Sequence, residues 1–112
     1  MLKTQNRLKK RKEFAYIYRK GEKFHTANLT LIKIDSKYQT PRIGFSVSNK
    51  VGKAVVRNKV KRQLREIVRP LVPIIKNCNL IFVVKTTITE TNFQELKNEV
   101  KQILIKGKVI DA

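Results

Sequence analysis

The sequence predicts an α+β fold in which a single sheet of about four strands packs with helices in the order α-β-β-β-α-β-α. Three observations support this class. Three segments carry apolar residues at helical spacing, residues 42–48 alternate apolar with other residues, and residues 80–84 form an uninterrupted apolar run. A chain of 112 residues is long enough for one ordinary core, so residues 1–112 are expected to form a single domain.

The N-terminal segment should contain an arm followed by a helix. Residues 1–9 are basic, polar and aperiodic, which predicts an arm that is mobile or becomes ordered by a partner. In residues 10–20, Phe14, Ile17 and Tyr18 share one helical face, and a glycine directly after the segment can end the helix. The pattern by itself favours packing of Phe14 and Tyr18 in the core.

Two extended segments are predicted next, at residues 24–34 and 42–48, separated by a polar turn region at 35–37 and by Pro41. Successive side chains in a strand point to opposite faces, so the alternation in 42–48 predicts a sheet with one open, polar face. The inward set is Ile43, Phe45 and Val47, and the outward set is Arg42, Gly44, Ser46 and Ser48.

Residues 53–69 form the predicted central helix, which should end before Pro70 or shortly beyond it. At about 100° per residue, its apolar and basic side chains separate onto opposite sides. The apolar sector holds Val56, Val60, Leu64, Ile67 and Leu71.

The C-terminal part should supply a central strand and a last helix. The run 80–84 lacks alternation, which suits a strand covered on both faces or lying in the middle of the sheet. Thr91 or Asn92 can begin the last helix with a capping box, and Gly107 can end it. Its expected buried stripe is Phe93, Leu96, Val100, Ile103 and Leu104, with Glu95 and Glu99 forming ordinary surface pairs with Lys97 and Lys101.

The charge of the chain narrows its function. The 26 Lys and Arg residues exceed the eight Asp and Glu residues, for a formal net charge of +18. Such an excess is destabilising by self-repulsion, so a polyanionic partner is expected, most often a nucleic acid. The sequence has no apolar stretch for a membrane span or a signal peptide, so no membrane partner and a cytoplasmic location are expected. One Cys, expected to be a small buried thiol, and one His disfavour a zinc site and a Cys/His catalytic pair.

The positive charge is concentrated in and before the central helix. Between Lys50 and Arg69 the only acidic residue is Glu66, whereas an ordinary solvated helix face mixes both signs. Arginines on one face can fan out over phosphates, which favours nucleic-acid contact over a merely solvated face. Asn58, judged by itself, is best interpreted as an ordinary polar surface residue. The candidate contact residues are Lys50, Lys53, Arg57, Asn58, Lys59, Lys61, Arg62, Arg65 and Arg69.

These residues carry a family resemblance. The string KVGKAVVRNKVKR at 50–62, following GFSVS at 44–48, resembles the signature of the bacterial ribonuclease P protein component. That family supplies the small basic subunit of the ribozyme that removes 5′ leaders from precursor tRNA. NRLKK at 6–10, followed by Glu13-Phe14, is similar to the opening of the family. The chain departs from it at Lys59, where the family has arginine, so this position keeps the positive charge but lacks the guanidinium fork.

The resemblance implies a left-handed β-α-β crossover around the central helix. It also implies two separate binding sites for two RNAs. The basic helix would hold the catalytic ribonuclease P RNA. A cleft between the first helix and the open sheet face would hold the single-stranded leader of precursor tRNA. Phe14 and Tyr18 would then be stacking or walling groups, and Ser46 and Ser48 hydrogen-bonding groups on the cleft floor.

No catalytic residue and no metal ligand of the protein is expected, because the eight acidic residues are spread along the chain rather than clustered. The protein alone should bind no cofactor, and magnesium should enter through the RNA subunit. One alternative is a ribosomal or other structural RNA-binding protein. A second, a DNA-binding module, is disfavoured because no short helix and turn precede the central helix.

Overall fold

The computed structural model describes residues 6–8, 10–36, 40–90 and 92–111, and its elements follow the predicted order. Three short 3₁₀ segments join the regular elements after β3, after α2 and after β4. The bounds are α1 Arg11–Lys20, β1 Glu22–His25, β2 Leu29–Asp35, β3 Arg42–Val47, α2 Ala54–Val68, β4 Cys78–Val84 and α3 Phe93–Lys106.

The four strands form one sheet in the order β1-β2-β4-β3. β4 lies in the interior of the sheet, antiparallel to β2 and parallel to β3, which confirms the prediction for residues 80–84. Because β3 and β4 are adjacent and parallel, α2 lies in a crossover connection between them. The left hand of that connection stays a prediction from the resemblance.

Helices cover both faces of the sheet. On one face α1 buries Ile17 against Ile32 and Ile81. On the other face α2 and α3 pack on the alternate residues of the same strands, such as Leu80 and Phe82. This arrangement explains the continuous apolar run in β4, since its successive side chains enter different cores.

The segment 24–34, expected as one extended stretch, is a hairpin of β1 and β2. The chain turns at residues 26–28, where Thr26 N donates to the carbonyl of Leu29 at 2.9 Å. β1 and β2 then pair antiparallel from Glu22 opposite Lys33 to His25 opposite Thr30. The single-segment prediction was wrong because the apolar and polar pattern continues through the turn.

Glu99 holds this turn from α3, so the expected surface pairing is wrong for this residue. Its side chain is buried, with 8% of the residue exposed. Its carboxylate accepts hydrogen bonds from Thr26 Oγ1 at 2.6 Å, Asn28 N at 2.7 Å and Asn28 Nδ2 at 2.7 Å. Glu95, one turn earlier, is exposed as expected.

The predicted apolar faces are largely confirmed, with differences at helix ends. In α2, Val60, Leu64 and Ile67 are buried and Leu71 beyond the helix is partly buried, whereas Val56 is exposed. In α3, Phe93 is also exposed, while the other four predicted positions are buried. Both exposed residues lie in the first turn of their helix, and Val56 packs beside Gly52 of the preceding loop. Helical phase identifies the side of a helix but not how far the core extends along it.

Residues 6–8 of the N-terminal segment are docked on the sheet. Asn6 Nδ2 donates to the carbonyl of Pro41 at 2.8 Å, and Leu8 N donates to the carbonyl of Ile43 at 3.0 Å. Arg7 forms a parallel bridge with Ile43, and the side chain of Leu8 is buried. This differs from the expected mobile or partner-ordered arm, since β3 itself orders these three residues. The rest of the predicted arm lies outside the described residues.

The ends of the helices and the cysteine agree with the sequence. Gly21 N donates to the carbonyl of Ile17 at 2.8 Å where α1 ends, and Asn92 Oδ1 accepts from Glu95 N at 2.8 Å where α3 begins. Thr91 and Lys37, in the predicted cap and turn, lie outside the described residues. Cys78 is buried, and burial raises the pKa of its thiol to about 11, which makes it an unreactive packing residue.

Candidate nucleic-acid interface

The outer face of α2 contains a shallow basic hollow, called here the α2 hollow. Each of its lining residues lies three or four positions from another lining residue, which places them on one side of the helix. The hollow has a volume of about 510 Å³. Its lining residues are Asn58, Lys61, Arg62, Arg65 and Glu66. Three cations and one amide in this arrangement form a surface suited to RNA phosphates and ribose hydroxyls.

Arg57 supports the α2 hollow from the loop side rather than lining it. Its Nη1 donates to the carbonyl of Gly52 at 2.9 Å, and its side chain is half-buried. Gly52 lies in the loop that leads into α2. Arg57 therefore ties this loop to the first turn of the helix while contributing charge to the same basic surface.

The remaining predicted cations lie outside the α2 hollow. Arg69 Nη2 contacts Glu66 Oε2 at 3.3 Å, an exposed pair that should contribute little to stability. Lys50 and Lys53 are exposed in the turn before α2 and at its N-cap, and Lys59 is exposed on the helix. None of the four lines the α2 hollow.

A second hollow, the edge groove, lies where both faces of the sheet meet at β3. Its volume is about 300 Å³. Phe14 reaches it from α1, whereas Lys61 and Arg65 reach it from α2 on the opposite face. Its full lining is Arg7, Leu8, Phe14, Ile43, Gly44, Phe45, Lys61 and Arg65. Because Lys61 and Arg65 line both hollows, the α2 hollow and the edge groove are contiguous.

Gly44 determines how closely α1 approaches β3. A Cβ atom at Gly44 would overlap the ring of Phe14 and would lie 3.3 Å from the Cβ of Leu8. The absence of a side chain therefore lets the Phe14 ring and the docked N-terminal segment close over the strand.

Replacing Gly44 with alanine should destabilise the protein by about 1 to 3 kcal/mol, because the added methyl displaces Phe14. Denaturant unfolding measures this change. Phe14→Leu in the same chain should recover part of the loss, since a smaller side chain leaves space for the methyl. Equal stability of the wild type and Gly44→Ala would contradict the tight contact.

The open part of the sheet face is a row of side chains beside α1. Strand pairing aligns Ser46 with Val83, Val83 with Thr30 and Thr30 with His25. Ser46, Val83 and Thr30 are half-buried. His25 is exposed, and its Nδ1 lies 3.0 Å from Thr30 Oγ1. The open polar face that the alternation in β3 predicts is therefore limited to this row, because α1 covers the neighbouring part of the same face.

The four predicted leader-cleft residues occupy different positions. Phe14 lines the edge groove, and Tyr18 is half-buried against the core under α1. Ser46 lies in the open row, and Ser48 is exposed just beyond the end of β3. The structure therefore places Tyr18, Ser46 and Ser48 outside the lining of the edge groove.

Two contributors were missed from the sequence. Arg7 belongs to the NRLKK string of the family resemblance, but its aperiodic basic segment gave no sign that it docks on the edge of β3. Thr30 could have been found, since it interrupts the apolar positions of Leu29 and Leu31 and so belongs to the opposite face.

The described residues offer no cluster of possible metal ligands. In the part of the chain that the structure describes, no three His, Cys, Asp or Glu residues lie together as possible metal ligands. Glu13 pairs with Arg42, and Glu99 is occupied by the β1–β2 turn. Among the described helices, none combines the length and apolar character needed to cross a membrane.

The chain is similar to ribonuclease P proteins over almost its whole length. The family model described as Ribonuclease P matches residues 2–108. The ribonuclease P protein component of Pseudanabaena sp. (strain PCC 6903) is 46% identical, covering 98% of this chain and 97% of that protein. The protein of the same name from Microcystis aeruginosa is 40% identical, covering 94% of this chain and 92% of that protein.

Solved structures give the same result for the fold. The RNase P protein of Staphylococcus aureus superposes with a TM-score of 0.90 at 29% identity, covering 95% of this chain and 98% of that one. The RNase P protein of Thermotoga maritima gives a TM-score of 0.83 at 26% identity, covering 89% of this chain and 96% of that one.

Proposed function

Because the chain belongs to the ribonuclease P protein family, we propose that it is the RNA-binding subunit of a ribonuclease P ribonucleoprotein, which removes the 5′ leader of precursor tRNA. The observation that carries this proposal is the contiguity of the α2 hollow and the edge groove through Lys61 and Arg65. One continuous basic surface can contact a folded RNA on one side and a single strand on the other.

The α2 side of this surface suits the catalytic RNA. Asn58, Arg62 and Arg65 are presented on one face of a regular helix, so their spacing is rigid. Arginine offers paired donors to phosphate oxygens, and the amide of Asn58 can bond a ribose hydroxyl. The other exposed cations of α2 and of the loop before it add positive charge to this side of the protein.

The α1 side suits the leader. Single-stranded nucleic acid binds where aromatic side chains lie in a positively charged groove. Phe14 and Tyr18 provide the aromatic wall on α1, and Ser46 and Ser48 provide hydroxyl groups on and just beyond β3. Thr30 and His25 extend the polar row beyond Ser46 across the sheet.

The subunit would act by binding and charge compensation, with hydrolysis carried out by the RNA subunit and the magnesium bound there. A carboxylate cluster is what a protein needs to hold catalytic metal ions, and the described residues offer none. Neutralising closely spaced phosphates lowers the magnesium concentration at which the RNA can fold and bind substrate.

Reconstitution with a ribonuclease P RNA tests the proposal. At low magnesium, the protein should restore accurate removal of the leader, whereas either component alone should not. A structural or ribosomal RNA-binding protein would bind RNA without restoring cleavage, and that outcome would reject the proposed role.

Tyr18→Ala should weaken binding of precursor tRNA to the holoenzyme by roughly 5- to 150-fold, because base stacking on an aromatic ring contributes about 1 to 3 kcal/mol. Binding of mature tRNA should stay the same. The matched control is Tyr16→Ala, since Tyr16 lies on the same helix but is half exposed and stacks with Arg19. Equal losses for precursor and mature tRNA would reject the leader contact.

A further inference from the structure

A third hollow, called here the Asn79 hollow, lies between α1 and the beginning of β3 and β4. Its volume is about 270 Å³. It shares no lining residue with the α2 hollow or the edge groove. Its lining residues are Lys12, Glu13, Tyr16, Ile17, Arg42 and Asn79. The proposed RNA-binding surface therefore leaves this hollow unused.

The register of the strands separates the Asn79 hollow from the open row of the sheet. α1 covers the middle row of this sheet face, where Gly44 is aligned with Ile81. Asn79 is aligned with Arg42 in the row on one side of α1, and the open row with Ser46 lies on the other side. The hollow and the open row are thus on opposite sides of the same helix.

The side-chain amide of Asn79 lacks a partner within the chain. Among the buried side-chain nitrogen and oxygen atoms of the described residues, Asn79 Oδ1 is the one without a hydrogen-bond partner. Such atoms are rare, because a buried acceptor left without a donor is costly. The residue as a whole is only half-buried, so rotation about its last side-chain bond brings either end of the amide toward the hollow. The amide can then offer one donor and one acceptor to a bound molecule.

The α1 wall of the hollow supplies an aromatic ring and a cation. Tyr16 is half exposed, and the guanidinium carbon of Arg19 lies 5.9 Å from the centre of its ring. Lys12 is exposed one helical turn before Tyr16. A planar ligand can therefore stack on the tyrosine while its anionic group meets the lysine.

The acidic residue in the lining is already neutralised. Glu13 forms a two-point ion pair with Arg42, in which Arg42 Nη2 donates to Glu13 Oε1 at 3.0 Å and Nη1 contacts Oε2. The remaining charge in the lining is that of Lys12. One cation suits a single phosphate group, whereas a nucleic-acid strand needs cations along its path. The hollow is therefore better suited to one nucleotide than to a polynucleotide.

We propose that the Asn79 hollow binds a free adenine mononucleotide, with the amide of Asn79 on the base and Lys12 at the phosphate. Asparagine pairs with adenine through two hydrogen bonds, donating to a ring nitrogen and accepting from the amino group. A purine also offers a large planar surface to Tyr16. The site is separate from the RNA-binding surface, so its failure would leave the proposed function intact.

Calorimetric titration of the full-length protein with AMP tests this site, at about 0.15 M salt to screen general attraction to the basic chain. AMP should bind with one-to-one stoichiometry. Ribose 5-phosphate should bind about tenfold more weakly, because it lacks the base that stacks and pairs. Asn79→Leu should weaken AMP binding by about tenfold, the size expected for two lost hydrogen bonds. The stability of this variant should equal or exceed that of the wild type, since the change removes an unsatisfied acceptor.

Variants of Tyr16 test the site at an exposed position, where folding is not at risk. Tyr16→Ala should weaken AMP binding and Tyr16→Phe should keep it, because the ring rather than the hydroxyl group stacks. Asn98→Leu makes the same replacement as Asn79→Leu on the exposed surface of α3, and its affinity for AMP should match the wild type. Tyr16 remains the control for Tyr18, since that measurement of tRNA binding contains no mononucleotide.

The other outcomes would overturn the proposal. Unchanged affinity for AMP in Tyr16→Ala, or in folded Asn79→Leu, would show that AMP binds elsewhere on the basic surface. Equal affinity for AMP and ribose 5-phosphate would show attraction to phosphate alone, and equal affinity for AMP and UMP would reject recognition of adenine. If the same variants weakened binding of a short adenosine-containing RNA more than binding of AMP, the hollow would be an RNA site instead of a mononucleotide site.

Discussion

Replacing Arg62 and Arg65 together with alanine should weaken binding of the protein to ribonuclease P RNA by roughly 15- to 30-fold at 0.15 M salt. Both side chains line the α2 hollow, where they lie one helical turn apart. Each phosphate contact contributes roughly 0.7 to 0.9 to the slope of log K against log salt concentration. The double variant should therefore flatten that slope by roughly 1.4 to 1.8.

The measurement is a salt titration of affinity for the RNA subunit alone, without precursor tRNA. Leaving out the substrate is necessary because Arg65 also lines the edge groove. A double variant of Lys97 and Lys101 on α3 removes the same net charge from another helix and should keep the wild-type slope. If the slope of the arginine double variant were unchanged, α2 would not be part of the RNA interface.

The single variants separate the two surfaces. Arg62 lines only the α2 hollow, so Arg62→Ala should affect binding of the RNA subunit and spare discrimination between precursor and mature tRNA. Arg65→Ala should affect both, because its side chain lines both hollows.

Glu99→Ala should lower the free energy of unfolding by about 3 kcal/mol and the Tm by more than about 10 °C. The carboxylate is buried and accepts three hydrogen bonds from Thr26 and Asn28. Its removal leaves the amide N–H and the side-chain amide of Asn28 without their acceptor, which costs more than the bonds themselves contribute. The turn between β1 and β2 would also lose its link to α3.

Glu95→Ala is the matched control for this effect. Glu95 lies one turn earlier on α3 with an exposed side chain, so its removal should change stability by less than about 0.5 kcal/mol. Chemical denaturation of both variants at equal ionic strength gives the comparison. Similar small changes for Glu95 and Glu99 would contradict the buried role of Glu99.

Local patterns predicted the order of the elements and the basic face of α2. The helical phase of Val60, Leu64 and Ile67 identified the buried side of α2, and the opposite side carried Asn58 and Arg62 as expected. These features could be predicted because spacing along a helix or strand determines which residues share a face. The apolar run in β4 likewise indicated its central position in the sheet.

The tertiary structure decided what those faces meet. Arg7 lies beside Lys61 only because the edge of β3 orders the N-terminal segment, and Glu99 is buried only because α3 passes over the β1–β2 turn. Neither contact has a local signal, since the partners are distant in sequence and periodicity does not encode distance between elements.

The sequence by itself thus determined the fold class, the excess positive charge and the helix that carries it. Only the packing of α1 and α2 on opposite faces of one edge strand brought Phe14 to the same groove as Lys61 and Arg65. The reason is physical: the charge and shape of a helix are properties of its own residues, whereas a groove exists only between elements that long-range packing has brought together.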